Sequence, residues 1–136
     1  MDDMKNTILL VVEDDKDLQN VLADRLSSEH LYDVLRASDG EEAINIILDK
    51  KPSLILLDLL LPKLDGFKVL ERIRNYPEKD ISELKVIVLS NLWTNKDILR
   101  AQALKIQEYY VKANTNVEDV VAKVNSLLAG DKVEGS

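Results

Sequence analysis

The chain has 136 residues, 46% apolar and 32% charged, a balance that fits one globular domain around a single core. Its net charge, 18 − 25 = −7, argues against a nucleic-acid surface of clustered Lys and Arg and suits a divalent cation or a basic partner patch. The absence of cysteine and a single histidine, His30, exclude disulfides, thiolate metal sites and histidine-rich metal sites, and no apolar run nears membrane-spanning length, so a cytoplasmic protein is expected.

Residues 8–12 form a short, continuous apolar run of the kind buried strands show. Glu13-Asp14-Asp15 ends it, and Asp15 can cap a helix with Leu18, Val21, Leu22 and Leu26 inward. Residues 27–30 close that helix, with His30 expected at the surface, and residues 32–37 read as a second strand. Asp39, with Glu42 three residues on, opens a second helix through a capping box, with Ala43, Ile44, Ile47 and Leu48 inward. Lys50, Lys51 and Pro52 end it. Residues 54–58 are the third strand, and Asp65 or Gly66 starts a helix with Phe67, Val69, Leu70 and Ile73 inward. Residues 75–83, containing Pro77, read as a loop or an irregular helix extension.

Residues 85–90 are the fourth strand. The loop 91–95 holds Trp93, for which ordinary packing is favoured over a partner-anchoring role. A helix over 96–104 has Ile98, Leu99, Ala101 and Ala103 as its apolar face, and residues 108–112 form the fifth strand. Thr115 or Asn116 caps a last helix, 117–128, with Val117, Val120, Val121, Val124, Leu127 and Leu128 inward. Gly130 is expected to end it, separating a domain at 1–130 from a disordered tail at 131–136.

Five strands alternating with five helices predict an α/β fold with a parallel sheet covered on both faces. For five units the doubly wound arrangement is the flavodoxin-like order 2-1-3-4-5, with its ligand site at the C-terminal strand ends between strands 1 and 3. Glu13 and Asp14, Asp58, Ser90 and Lys112 all fall at such ends, each after an apolar run. A charge there is costly without partners. Three carboxylates repel one another; Lys112 offsets one charge, and a divalent cation would offset the rest. Oxygen ligands without Cys or His point to Mg²⁺. Together these groups suit phosphoryl transfer: Asp58 as nucleophile, Lys112 and the ion neutralising charge, Ser90 bonding a phosphoryl oxygen. No Walker pattern is present, so ATP is not expected to be the direct donor.

Taken in order, Glu13-Asp14, Asp58, Pro62, Asp65-Gly66, Ser90, Tyr109 and Lys112 resemble the response-regulator receiver domain (CheY-like) of two-component signalling, over residues 8–128. The spacings of 44 from Asp14 to Asp58 and 22 from Ser90 to Lys112 match the family, and the 32 from Asp58 to Ser90 is slightly long, as the loop around Pro77 explains. The resemblance implies that Asp58 accepts a phosphoryl group from phosphohistidine on a histidine kinase or a phosphotransfer protein. It implies Mg²⁺ held by Asp14, Asp58 and the backbone carbonyl of Leu60, with Glu13 acting mainly through water. Ser90 would turn toward the phosphoryl group and Tyr109 would follow inward as the switch. The output partner would dock on the face made by helix 96–104, strand 108–112 and helix 117–128. It implies a phosphoacceptor signalling domain, not an enzyme, with no membrane and no direct nucleic-acid contact.

The chain departs from the family at Ala113, where proline is usual, and at Asn91, where a small residue is usual. Leu60 and Leu92 stand where relatives often carry polar residues, and apolar groups cannot orient water, so self-dephosphorylation is expected to be slow. The alternative function is a degenerate receiver acting as an unphosphorylated scaffold, kept open by Asn91 and Ala113 and disfavoured by the intact acids. An aspartyl-phosphate phosphatase would want a second acid where Leu60 stands. A flavin module would want Ser, Thr and Gly in place of Glu13-Asp14-Asp15. Tyr109 is nearly as well read as a half-buried strand aromatic as a switch.

Overall fold

A computed structural model describes residues 7–134. The elements run β1 (Thr7–Val12), α1 (Lys16–Ser27), β2 (Tyr32–Ala37), α2 (Gly40–Lys50), β3 (Leu54–Leu57), α3 (Gly66–Arg74), α4 (Lys79–Ser82), β4 (Lys85–Ser90), α5 (Asn95–Ala103), β5 (Glu108–Val111) and α6 (Val117–Glu134). The sheet order is β2-β1-β3-β4-β5, and each neighbouring pair is parallel, as the alternation of strands and helices predicts.

Successive strand residues point to opposite faces, so the apolar runs bury both sides of the sheet. Leu10, Val12, Ile55 and Leu57 pack with Ala43, Ile47, Phe67 and Leu70 of α2 and α3. Leu9, Val11, Leu54 and Leu56 pack with Leu22 and Leu26 of α1 and Val120, Val124 and Leu128 of α6. Asp15, Asp39 and Asp65 accept backbone N–H bonds as helix caps, which fixes where α1, α2 and α3 leave the strand ends.

Several expectations need correction. Six helices replace the expected five among the described residues, because 79–82 form a one-turn helix. Buried Ile81 and Leu84 pull that segment onto the core. In α1, Val21 is exposed and Gln19 is buried instead, because Gln19 bonds carbonyls at the strand ends. In α5, Leu99 and Ala103 are exposed and Ala101 alone is buried. The last helix does not stop at Gly130; its backbone continues to Glu134, so residues 131–134 are helical rather than a disordered tail. A glycine inside a helix costs about 1 kcal/mol relative to alanine without ending it. Residues 135–136 of the expected tail lie outside the described residues. No helix of the described residues is long and apolar enough to cross a membrane.

Candidate functional site

Asp58 stands one residue past β3, and its N–H still donates to Val12 O of β1 at 3.1 Å. Glu13 stands one residue past β1, with its N–H on Ala37 O at 3.0 Å. The same ladder that pairs the strands therefore sets the two carboxylates side by side. Both are buried, whereas Asp14 between β1 and α1 is exposed. Carboxylate oxygens of Glu13, Asp14 and Asp58 lie within 4.8 Å of one another. Asp15 stays out of this group; its side chain caps α1 on the N–H groups of Asp17 and Leu18.

Lys112 follows β5 and opens a 3-10 turn, Lys112–Asn114, not the last step of the strand that the sequence suggested. Its Nζ lies 2.8 Å from Asp58 Oδ2 and 2.8 Å from Glu13 Oε1. The second oxygens also have donors: Leu60 N–H reaches Asp58 Oδ1 at 3.1 Å, and Asp15 N–H reaches Glu13 Oε2 at 3.1 Å. Burial pushes the Glu13 carboxyl up, and the Asp58 charge adds to this; Lys112 and the Asp15 N–H oppose it without cancelling it. Burial works to lower the Lys112 ammonium, yet its bonds to Asp58 and Glu13 outweigh that and hold it above the ordinary lysine value.

Gly66 explains part of the pocket floor. A Cβ there would lie 2.4 Å from Asp58 O and 2.7 Å from Leu59 Cα, so only glycine lets α3 start this close to the Asp58 backbone. Gly66 N–H donates to Leu59 O at 3.0 Å. The sequence marked Gly66 as a helix start; its closeness to Asp58 is a tertiary feature with no local signal.

Ser90 is fully buried at the end of β4, paired with Val111, which precedes Lys112. Its Oγ accepts from Leu92 N–H at 3.4 Å. Tyr109 is half-buried against the α3 side of the core, and its hydroxyl donates to Leu92 O at 2.8 Å. Burial, with the charges of Asp97 and Asp58, pushes its pKa up to about 12. The Leu60 side chain is exposed beside the pocket. Trp93 is 70% exposed, which overturns the favoured reading of a packed tryptophan.

Three carboxylates face one ammonium here, an excess of negative charge on oxygen donors that fits a hard divalent cation. Glu13, Asp14, Asp58, Ser90 and Lys112 thus all arrive at the C-terminal strand ends, where the helices following β1 and β3 leave to opposite faces of the sheet. Sequence reasoning missed Gln19, a polar residue in an apolar stripe, whose burial shows only once α1 is seated.

This fold and pocket define a flavodoxin-like receiver of the CheY type. The family model described as the response regulator receiver domain matches residues 9–125, and the chain belongs to that family. A probable transcriptional regulator ycf27 from Porphyridium aerugineum is 34% identical over 125 residues, 92% of this chain and 49% of the relative. The Francisella response regulator 1452 receiver domain superposes with a TM-score of 0.78 at 27% identity, covering 90% of this chain and 96% of that one. The Mn²⁺-bound form of the response regulator Rcp1 does so with a TM-score of 0.73 at 28% identity, covering 89% and 91%. The chain spans about half the length of the curated relatives it matches.

Proposed function

We propose that this chain is a phosphorylatable receiver switch that accepts a phosphoryl group on Asp58 from a phosphohistidine of a histidine kinase or phosphotransfer protein. The observation that carries this is the double contact of Lys112 with Asp58 and Glu13, with Asp14 alongside. An Asp58 oxygen attacks phosphorus as the phosphorus–nitrogen bond breaks, and the electron pair leaves with the imidazole. The Leu60 N–H and Lys112 hold the Asp58 carboxylate in a fixed plane before attack. Lys112 then pairs with a phosphoryl oxygen, and the Ser90 hydroxyl donates to another.

The donor set fits Mg²⁺, which Asp14, Asp58 and the Leu60 carbonyl would hold, with Glu13 acting mainly through water; when bound it supplies positive charge against the transferring group. Mn²⁺ on Rcp1, a protein of the same fold, supports a divalent site. Tyr109 and the loop carrying Leu92 and Trp93 are the switch, and the output partner meets the face of α5, edge strand β5 and α6. The relative named a probable transcriptional regulator supports a longer regulator whose nucleic-acid contacts lie outside this acidic receiver.

The test is incubation with acetyl phosphate and Mg²⁺ followed by intact mass. One phosphoryl group is expected on the wild type and none on Asp58→Asn or without Mg²⁺. No gain on a folded, Mg²⁺-binding protein would instead favour an unphosphorylated scaffold.

A further inference from the structure

Gln19 is a buried carboxamide on the inner side of α1, five positions after Asp14. Its Nε2 donates to Glu13 O at 2.8 Å and to Ala37 O at 3.0 Å, with Ser38 Oγ at 3.3 Å. Two carbonyls can only accept, so the amide nitrogen must face them. Ala37 O also takes the Glu13 N–H, so one side chain ties together the ends of β1 and β2. A buried amide is costly unless bonded, and an apolar residue would fill this helix position more simply.

The Glu13 carbonyl belongs to the same rigid peptide plane as the Asp14 N–H. Holding that oxygen fixes the plane from which the Asp14 side chain departs. The other two carboxylates have their own anchors: Lys112 on both, Leu60 N–H on Asp58, and Asp15 N–H on Glu13. The Asp14 carboxylate is exposed, and its backbone aims it.

We propose that Gln19 is a positioning residue: through the Glu13 carbonyl it holds Asp14 in place beside Asp58 for divalent-cation binding. This rests on the receiver reading above. It makes ion affinity, rather than the transfer step itself, the quantity that Gln19 controls.

The test uses the full chain with Mn²⁺ alone as the probe, followed by electron paramagnetic resonance, for wild type, Gln19→Met, Ser38→Ala and Asp14→Asn. Gln19→Met is expected to weaken Mn²⁺ binding roughly tenfold or more, the usual loss when a group orienting a metal ligand is removed. Ser38→Ala keeps both carbonyl bonds and should bind as wild type does. At saturating Mg²⁺, Gln19→Met should recover the wild-type rate of modification by acetyl phosphate, a split that plain destabilisation would not give. A folded Gln19→Met with unchanged Mn²⁺ affinity, beside an Asp14→Asn that has lost it, overturns the inference and leaves the receiver reading standing. A wild type that neither binds Mn²⁺ nor gains a phosphoryl group overturns both. If Gln19→Met does not fold, the wild type answers instead: the Gln19 side-chain amide resonances should move during Mg²⁺ titration with the midpoint seen for Asp14 and Asp58. Resonances that stay still while Asp14 responds overturn the inference.

Discussion

One ammonium joins two buried carboxylates from different strand ends: Lys112 Nζ is 2.8 Å from both Asp58 Oδ2 and Glu13 Oε1. Removing it leaves negative charge that water scarcely reaches, and breaking a buried pair this way costs about 3–5 kcal/mol. Lys112 is itself partly exposed, so the lower part of that range applies. Lys112→Met is therefore expected to unfold at lower urea at pH 7 without divalent ions. Glu13 has its folded pKa raised, mainly by burial. Its contribution is thus full below the ordinary glutamate value and is lost as pH rises through the raised one. The deficit of Lys112→Met should narrow on acidification, where Glu13 takes up a proton. Equal urea midpoints at pH 7 for variant and wild type would sink the argument.

Gly66 and Asp58 are bound by closeness rather than by a bond. An alanine Cβ at position 66 would press on Asp58 O and Leu59 Cα, both backbone atoms that cannot swing away. Overpacking of this kind costs about 1–3 kcal/mol. Gly66→Ala should lose stability in that range, and its modification by acetyl phosphate should slow even where the protein is fully folded. Alanine at the exposed position 68 of the same helix serves as the control. A Gly66→Ala that matches wild type in both assays contradicts the close-approach account.

The apolar runs at 8–12, 54–57 and 86–89 made the sheet legible, because strands buried on both faces leave an unbroken apolar mark. Glu13, Asp14, Asp58 and Ser90 were legible as a group because they follow such runs, and Lys112 because it follows the shorter Tyr109-Tyr110-Val111. What local pattern could not give was tertiary. The buried stripe of α1 takes Gln19 and leaves Val21 in water, since distant carbonyls at Glu13 and Ala37 reward an amide. Arg74 gave no signal either, yet its guanidinium donates to the carbonyls of Ser82, Leu84, Leu104 and Lys105, stapling the ends of α3, α4 and α5. Leu99 of α5 stands exposed, and Ala101 is the buried residue of that helix. Gly130 misled because a helix can absorb the small cost of one glycine.

Leu60 donates its N–H to Asp58, and its apolar side chain is exposed. Hydrolysis of an aspartyl phosphate needs a water held in line, and a leucine offers it neither donor nor acceptor. The phosphorylated protein is expected to keep its phosphoryl group for minutes or longer in Mg²⁺ buffer. Leu60→Gln should shorten that lifetime without altering the backbone contact to Asp58. A wild-type lifetime of seconds, or a Leu60→Gln lifetime equal to wild type, counts against this.

Tyr109 carries the sharpest pH signature. Its hydroxyl donates to Leu92 O at 2.8 Å, and burial with the Asp97 and Asp58 charges pushes its pKa up to about 12. The ordinary tyrosine value is about 10. A raised folded pKa favours the protonated fold, so this contribution to stability is full below the ordinary value and disappears as pH climbs through the raised one. Ultraviolet titration of the phenolates should show a late-ionising group in the wild type that is missing in Tyr109→Phe. The same variant frees the Leu92 carbonyl next to Trp93, so tryptophan emission should shift as well. That second readout separates the two readings of Tyr109. A strand aromatic that merely fills space would leave Trp93 unmoved when only its hydroxyl is removed, because phenylalanine fills the same volume. A tyrosine that holds the loop through its hydroxyl would not.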